Sequence, residues 1–140
     1  MKRAKQVIVM RRKFVIDGET KTVRTGKMIA QGAHASMAAL LNIMDRTDTT
    51  SGMKLHLDIS RDSHIYDWLA GKFTKVVVYV DTLEELEKIF QKAKEKNQIR
   101  AMITDAGLTE FKGQQQKTCC AIGPGWEDEI NEITGKLPLL

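Results

Sequence analysis

Short, mostly apolar runs alternate along this chain with stretches in which apolar residues recur at helical spacing. The runs are typical of buried strands, and they lie at residues 6–10, 75–80, 99–104 and 118–122. The helical spacing predicts four helices, at residues 26–45 and 62–69, from residue 83 onwards, and at residues 126–134. Strands that alternate with helices predict a layered α/β domain with helices on both faces of a largely parallel sheet.

Turn and capping residues mark the ends of these elements. Asp17-Gly18 is a turn signal and predicts a small hairpin or excursion within residues 14–23. Thr82 and Glu85 form a capping box, which predicts that a helix begins there. The other expectations are a helix cap at Thr25, a loop at residues 47–61 with a short strand at 53–57, a helix start at Asp62 or Ser63, and Pro124 in the first turn of the last helix.

The composition is that of one globular domain, and we expect residues 1–140 to form it. Hydrophobic residues make up 42% of the chain and charged residues 29%, which is ordinary for a folded protein. No run of about 18 apolar residues predicts a membrane span, and the apolar stretch near the N-terminus is too short for a signal peptide. Cys119 and Cys120 are adjacent and cannot build a disulfide framework, so we expect a cytoplasmic location.

The net charge of +4 is mildly basic, and the positive residues are concentrated in the first 27 positions. This balance fits a partner that carries phosphates, although many basic proteins bind no nucleic acid. The asymmetry favours one basic face near the first strand and the first helix.

Three polar side chains form a row at the start of the long helix. Lys27, Gln31 and His34 are spaced i, i+4 and i+7, so they share one helix face. Such a row near a helix N-terminus suits an anion or a carbonyl group, and a solvated polar stripe is the alternative interpretation. Asp105 and Thr109 follow the third predicted strand. Because ligands gather at the carboxyl ends of strands, we expect them near Lys27 and His34.

Several other chemistries lack the spacing that they require. A phosphate-binding loop is excluded because Met28 stands where Ser or Thr is needed. The three histidines do not have the spacing of zinc ligands. A nucleophilic Cys119 or Cys120 stays open as an alternative, although buried and unreactive cysteine is the more common case.

Three sequence motifs together resemble one family of enzymes. They are residues 26–35 (Gly-Lys-Met-Ile-Ala-Gln-Gly-Ala-His-Ala), 105–109 (Asp-Ala-Gly-Leu-Thr) and 118–125 (Thr-Cys-Cys-Ala-Ile-Gly-Pro-Gly). Their order and distances are similar to those of the type-2 peptidyl-tRNA hydrolase family, as is the ending Ile-Thr-Gly-Lys-Leu at residues 133–137. The resemblance covers residues 5–46 and 72–140, with residues 14–24 and 47–71 looking like enlarged loops.

The resemblance implies a three-layer α/β/α sandwich on a mixed, mostly parallel four-stranded sheet. It implies hydrolysis of the ester that joins a peptide to the 3′ ribose of tRNA, with no metal or organic cofactor. Its partner would be peptidyl-tRNA, with a homodimer left open, and the alternative is a non-catalytic module that binds RNA or a protein. By resemblance, the catalytic residues are Lys27, Asp105, Thr109 and Thr118, and the substrate-binding residues are Gln31 and His34.

Overall fold

The alternating pattern of the sequence becomes eight strands and four helices in the computed structural model, which describes residues 2–107 and 111–140. In chain order they are β1 (Ala4–Arg11), β2 (Phe14–Ile16), β3 (Glu19–Lys21), α1 (Thr25–Leu41), β4 (Asp45–Thr49), β5 (Gly52–His56), α2 (His64–Ala70), β6 (Lys75–Val80), α3 (Leu83–Glu95), β7 (Arg100–Asp105), β8 (Gln116–Trp126) and α4 (Glu127–Thr134).

Four of the strands form a central mixed sheet in the order β6-β1-β8-β7. β1 pairs in parallel with β6, whereas β8 pairs antiparallel with both β1 and β7. β6, β1 and β7 therefore run in the same direction, as expected for a mostly parallel sheet. Of the three neighbouring pairs, however, only β1–β6 is parallel. The reason is that β8 follows β7 without an intervening helix in the described chain, and strands joined in this way pair antiparallel.

Helices cover both faces of this sheet, which confirms the predicted sandwich. Val7 and Val9 of β1 pack in one buried cluster with residues of α3 and α4. Ile8 and Met10 point to the opposite face and pack in a second cluster with Ala35 and Ala39 of α1. Alternation of side chains along a strand explains why a continuous apolar run serves both layers.

Two small hairpins extend from the sandwich. The first, β2–β3, turns at Asp17 and Gly18, which both have positive φ, and this confirms the predicted hairpin. The second hairpin is β4–β5. β5 matches the short strand predicted at residues 53–57, whereas β4 lies where we expected the end of the long helix and the start of a loop. Every residue of β4 and β5 is exposed, and β4 contains only polar residues, so it has no apolar side from which a strand could be recognised.

Two of the four predicted helix starts agree with the structure. The Ser63 and Thr82 side chains accept hydrogen bonds from the first turns of α2 and α3, as predicted. The cap of α1 is Arg24 rather than Thr25, and it makes no side-chain capping bond. Pro124 was wrongly placed in a helix. It lies in β8 beside a shift in the β1–β8 register, where a missing N–H disturbs the pairing least.

Candidate active site

Lys27 and Asp105 form an ion pair where α1 begins and β7 ends. The Lys27 Nζ donates to Asp105 Oδ2 at 3.3 Å, and the two side chains are only 9% and 17% exposed. α1 packs across the sheet with its N-terminal turn at the end of β7, so residues 78 positions apart in the chain meet there. The structure thus brings together the lysine and the aspartate that the topology argument placed at this edge.

A tight turn after β7 holds the Asp105 carboxylate. The Gly107 N–H also donates to Oδ2, at 3.0 Å. Gly107 has a φ of +82°, and a Cβ at this position would meet the Gln114 carbonyl oxygen, so glycine is required here. Among the described residues, no hydrogen bond reaches the second carboxylate oxygen, Oδ1, which leaves it available to a water or a substrate hydroxyl.

Thr118 of β8 and Gln31 of α1 form a second pair, joined by a hydrogen bond, next to the ion pair. Thr118 is buried in β8, and its Oγ1 donates to Gln31 Oε1 at 2.7 Å. The Gln31 backbone oxygen in turn accepts from Cys119 Sγ at 3.3 Å. Gln31 lies one helical turn after Lys27, so both pairs face the sheet on the same side of the helix.

The remaining predicted site residues are placed differently. His34 is exposed on α1, and no contact in the described part of the chain joins it to Lys27 or Asp105. Thr109 lies outside the described residues, as does its neighbour Leu108. The structure therefore groups four of the six predicted residues and leaves His34 on the solvent side of the helix.

Two aromatic residues that the sequence analysis did not single out adjoin the ion pair. Phe111 and Phe14 are fully buried, with ring centroids 4.6 Å apart. The Lys27 Nζ lies 5.1 Å from the Phe111 centroid, and the Arg11 guanidinium lies 4.2 Å from that of Phe14. Phe111 precedes the polar stretch at residues 112–117, which has no periodicity, so its only signal was a single large aromatic residue in a loop.

The two cysteines do not have the environment of a nucleophile. Cys119 and Cys120 are buried on opposite faces of β8. Burial raises the pKa of Cys119 to about 12 and raises the pKa of Cys120 as well. Neither thiol carries much thiolate at neutral pH, which disfavours the cysteine-dependent alternative.

In residues 2–107 and 111–140, no group of three or more His, Cys, Asp or Glu side chains converges as metal ligands would. In the same ranges, no helix has the length and apolar character needed to cross a membrane.

The comparisons with known proteins agree on one family. The family described as "Peptidyl-tRNA hydrolase PTH2" matches residues 4–140. A peptidyl-tRNA hydrolase of Methanopyrus kandleri is 38% identical over 136 residues, which is 97% of this chain and 97% of the relative. Relatives of the same name from Sulfurisphaera tokodaii and Nanoarchaeum equitans are each 35% identical, over 82% and 96% of this chain and 86% and 97% of their own lengths. The chain therefore belongs to the peptidyl-tRNA hydrolase PTH2 family.

Proposed function

We propose that this protein hydrolyses the ester bond between the peptide and the tRNA of peptidyl-tRNA, releasing a peptide and a free tRNA. The relatives reported above carry the name of this enzyme, and the family match spans nearly the whole chain. The observation that carries the proposal is the Lys27–Asp105 pair at the junction of α1 and β7, because it supplies the two charges that ester hydrolysis uses.

Asp105 is proposed to hold the attacking water. Its Oδ2 is fixed by Lys27 and by the Gly107 N–H, so the carboxylate cannot rotate freely. The other oxygen, Oδ1, then has a defined direction in which to accept a hydrogen bond from water. A water held in this way is oriented for attack on the ester carbonyl.

Lys27 is proposed to stabilise the oxyanion as it forms. Its ammonium is largely buried, and an electrostatic interaction is stronger where water is excluded. Lys27 also lies in the first turn of α1, where the helix dipole adds positive potential. The attacked ester oxygen would therefore gain negative charge next to two sources of positive charge.

The other site residues are proposed to orient the substrate. Thr118 holds the oxygen of the Gln31 amide, so the amide nitrogen can donate to a ribose hydroxyl or a phosphate oxygen. We assign Thr109 to the same task because of the family resemblance. His34, exposed further along α1, is proposed to contact the tRNA outside the reacting centre.

The alternative of a non-catalytic binding module is not favoured. The relatives reported above are named as hydrolases rather than as binding proteins. The Lys27–Asp105 pair, moreover, is a charged arrangement in a mostly buried position, which RNA binding alone does not require.

The test is the release of N-acetyl-aminoacyl groups from tRNA, measured with and without EDTA. We expect cleavage that EDTA does not change, and a loss of turnover of at least about 100-fold in both Lys27→Ala and Asp105→Asn. Lys96→Ala is the matched control, because it breaks a lysine–carboxylate pair with Glu132 at 2.9 Å on the other side of the sheet.

Two results would contradict these assignments. Near-normal turnover in both site variants would refute the roles given to Lys27 and Asp105. A folded protein that binds tRNA without cleaving it would instead support the binding module.

Four broader expectations stay predictions and have their own tests. Residues 1–140 are expected to unfold as one domain, which calorimetry checks. The homodimer is checked by sedimentation equilibrium and the cytoplasmic location by cell fractionation, while the EDTA comparison above checks the expected independence from metal ions.

A further inference from the structure

We propose that Phe111, supported by Phe14 and the β2–β3 hairpin, is a positioning residue that fixes the Lys27 ammonium beside Asp105. The inference rests on the proposed function, since it assigns Lys27 a role in turnover. It also gives a role to residues 14–24, the segment that looked like an enlarged loop in the sequence.

Phe111 offers an aromatic surface to Lys27. The ammonium lies 5.1 Å from the ring centroid and 3.3 Å from Asp105 Oδ2. A cation within about 6 Å of a ring is attracted to it, and more strongly where water is excluded. Lys27 is therefore held between a carboxylate and an aromatic ring, which together restrict its long and flexible side chain.

Phe111 is held in place beside Lys27 by its own packing. Phe14 packs against it at a centroid distance of 4.6 Å, and both rings are fully buried. Behind Phe14 lies the buried Arg11, whose guanidinium donates to the Lys117 backbone oxygen at 3.1 Å and to the Lys13 backbone oxygen at 2.9 Å. The Phe14–Phe111 pair thus lies between the Lys27 ammonium and the Arg11 guanidinium, and Arg11 is hydrogen-bonded to the backbone.

The β2–β3 hairpin also holds the segment around Phe111. The Asp17 carboxylate at the turn of β2–β3 pairs with Lys112 Nζ at 3.3 Å. It also accepts a hydrogen bond from Gln114 Nε2 at 3.1 Å. The hairpin therefore contacts the loop after β7 at Phe111 and at two following positions, so its removal would release the surface that supports Lys27.

The sharpest experiment replaces Phe111 by phenylalanines that carry one, two or three fluorine atoms. Fluorination withdraws electron density from the ring face and weakens its attraction for a cation, while it preserves the shape of the side chain. We expect kcat for N-acetyl-aminoacyl-tRNA to fall stepwise, to about a tenth with three fluorine atoms, while KM changes little. A purely structural role for Phe111 would leave kcat unchanged along the series, and that result would overturn the proposal.

A second measurement tests the contact without using activity. The ring current of Phe111 should shift the NMR signals of the Lys27 ε-methylene group upfield, and Lys27→Arg identifies those signals. The shift should disappear in Phe111→Leu, and its persistence there would refute the contact. If the unmodified chain cleaves no peptidyl-tRNA, the proposed function fails, while the shift still decides whether the ring faces Lys27.

A third measurement tests the role of the hairpin. Asp17→Ala removes both contacts from the turn to the loop, and we expect kcat to fall about threefold. Val15→Ala is the matched control, because Val15 lies on the same hairpin and its side chain is 63% exposed. Equal kcat values for the two variants would show that the hairpin does not position Lys27.

Discussion

At the scale of single residues, variants of Thr118 distinguish the effect of side-chain size from that of the hydrogen bond to Gln31. Thr118→Val keeps the size of the side chain but removes the donor to Gln31 Oε1. We expect a loss of about 0.5–1.5 kcal/mol of unfolding free energy and at least about tenfold in turnover, because the amide is no longer oriented. Thr118→Ser retains the donor and should keep most of both. Urea unfolding and single-turnover cleavage measure the two effects, and equal losses in the two variants would refute the role of the hydroxyl.

For the buried cysteines, we predict that chemical modification has no effect on activity. Because burial raises the pKa of Cys119 to about 12 and also raises that of Cys120, the reactive thiolate is scarce at neutral pH. Iodoacetamide at pH 7 should therefore leave the cleavage rate of the folded protein unchanged. Both thiols should become alkylated after unfolding in urea, which mass spectrometry detects. Rapid inactivation of the folded chain would restore the cysteine-dependent alternative.

Sequence patterns identified the polar part of the site better than its apolar support. The row of Lys27 and Gln31 follows from helix geometry alone, and Asp105 follows from its place after a strand. Sharing a helix face did not give His34 the environment of Lys27, because His34 lies two turns later, about 10 Å further along the helix axis, and it is exposed there. Phe111 was missed since its partners lie about 80 to 100 positions away in the chain, and no local pattern reports such contacts.

At the scale of elements, the strands and helices that bury one side were the ones that the sequence predicted. β6 matches the predicted strand at residues 75–80, and the cap of α2 agrees with Ser63. The β4–β5 hairpin was predicted only in part: the strand expected at residues 53–57 matches β5, whereas β4 is polar throughout and carries no apolar alternation. Local signals such as Pro124 are ambiguous, because the pairing of β8 with β1 overrides its preference for a helix start.

The close approach of β8 and β1 at Gly123 gives a prediction about stability. Gly123 has a φ of +103°, and a Cβ there would lie 2.6 Å from the Lys5 carbonyl oxygen. Gly123→Ala should therefore lower the unfolding free energy by more than about 1 kcal/mol, through strain and steric overlap together. Gly18→Ala is the control, since Gly18 also has positive φ but has no atom near its Cβ position. Equal losses of free energy in urea titrations would show that the overlap with β1 does not matter.

At the scale of the whole molecule, the basic residues do not form the single face that the sequence suggested. Lys2, Arg3 and Lys5 lie at one end of β1, whereas Arg11 and Arg12 lie at the other, and Arg11 is buried. With the strand rising about 3.3 Å per residue, the two groups are separated by roughly 20 Å or more. Positive charge is thus presented at two ends of the sheet, with the candidate site at one of them.

This charge distribution predicts a salt-dependent affinity for tRNA. Each phosphate contact releases counterions, so the logarithm of the affinity should fall linearly with the logarithm of the salt concentration. For about four contacts, we expect a loss of roughly 100-fold between about 50 and about 200 mM salt. Filter binding of an uncleavable N-acetyl-aminoacyl-tRNA amide measures this slope. A flat response would show that the net charge of +4 does not contribute to recognition.

The position of β8 in the sheet has a consequence for the time at which the protein becomes active during its own synthesis. β8 is the last strand to be made, yet it lies between β1 and β7 and carries Thr118. A growing chain that ends before residue 116 can form the β1–β6 pair, but it leaves β7 without a partner in the sheet. Pairing β8 with β1 also joins positions more than 100 residues apart, which slows folding. Every growing chain is a peptidyl-tRNA until its release, so, on the function proposed here, we expect this protein to gain its activity only after β8 has been made.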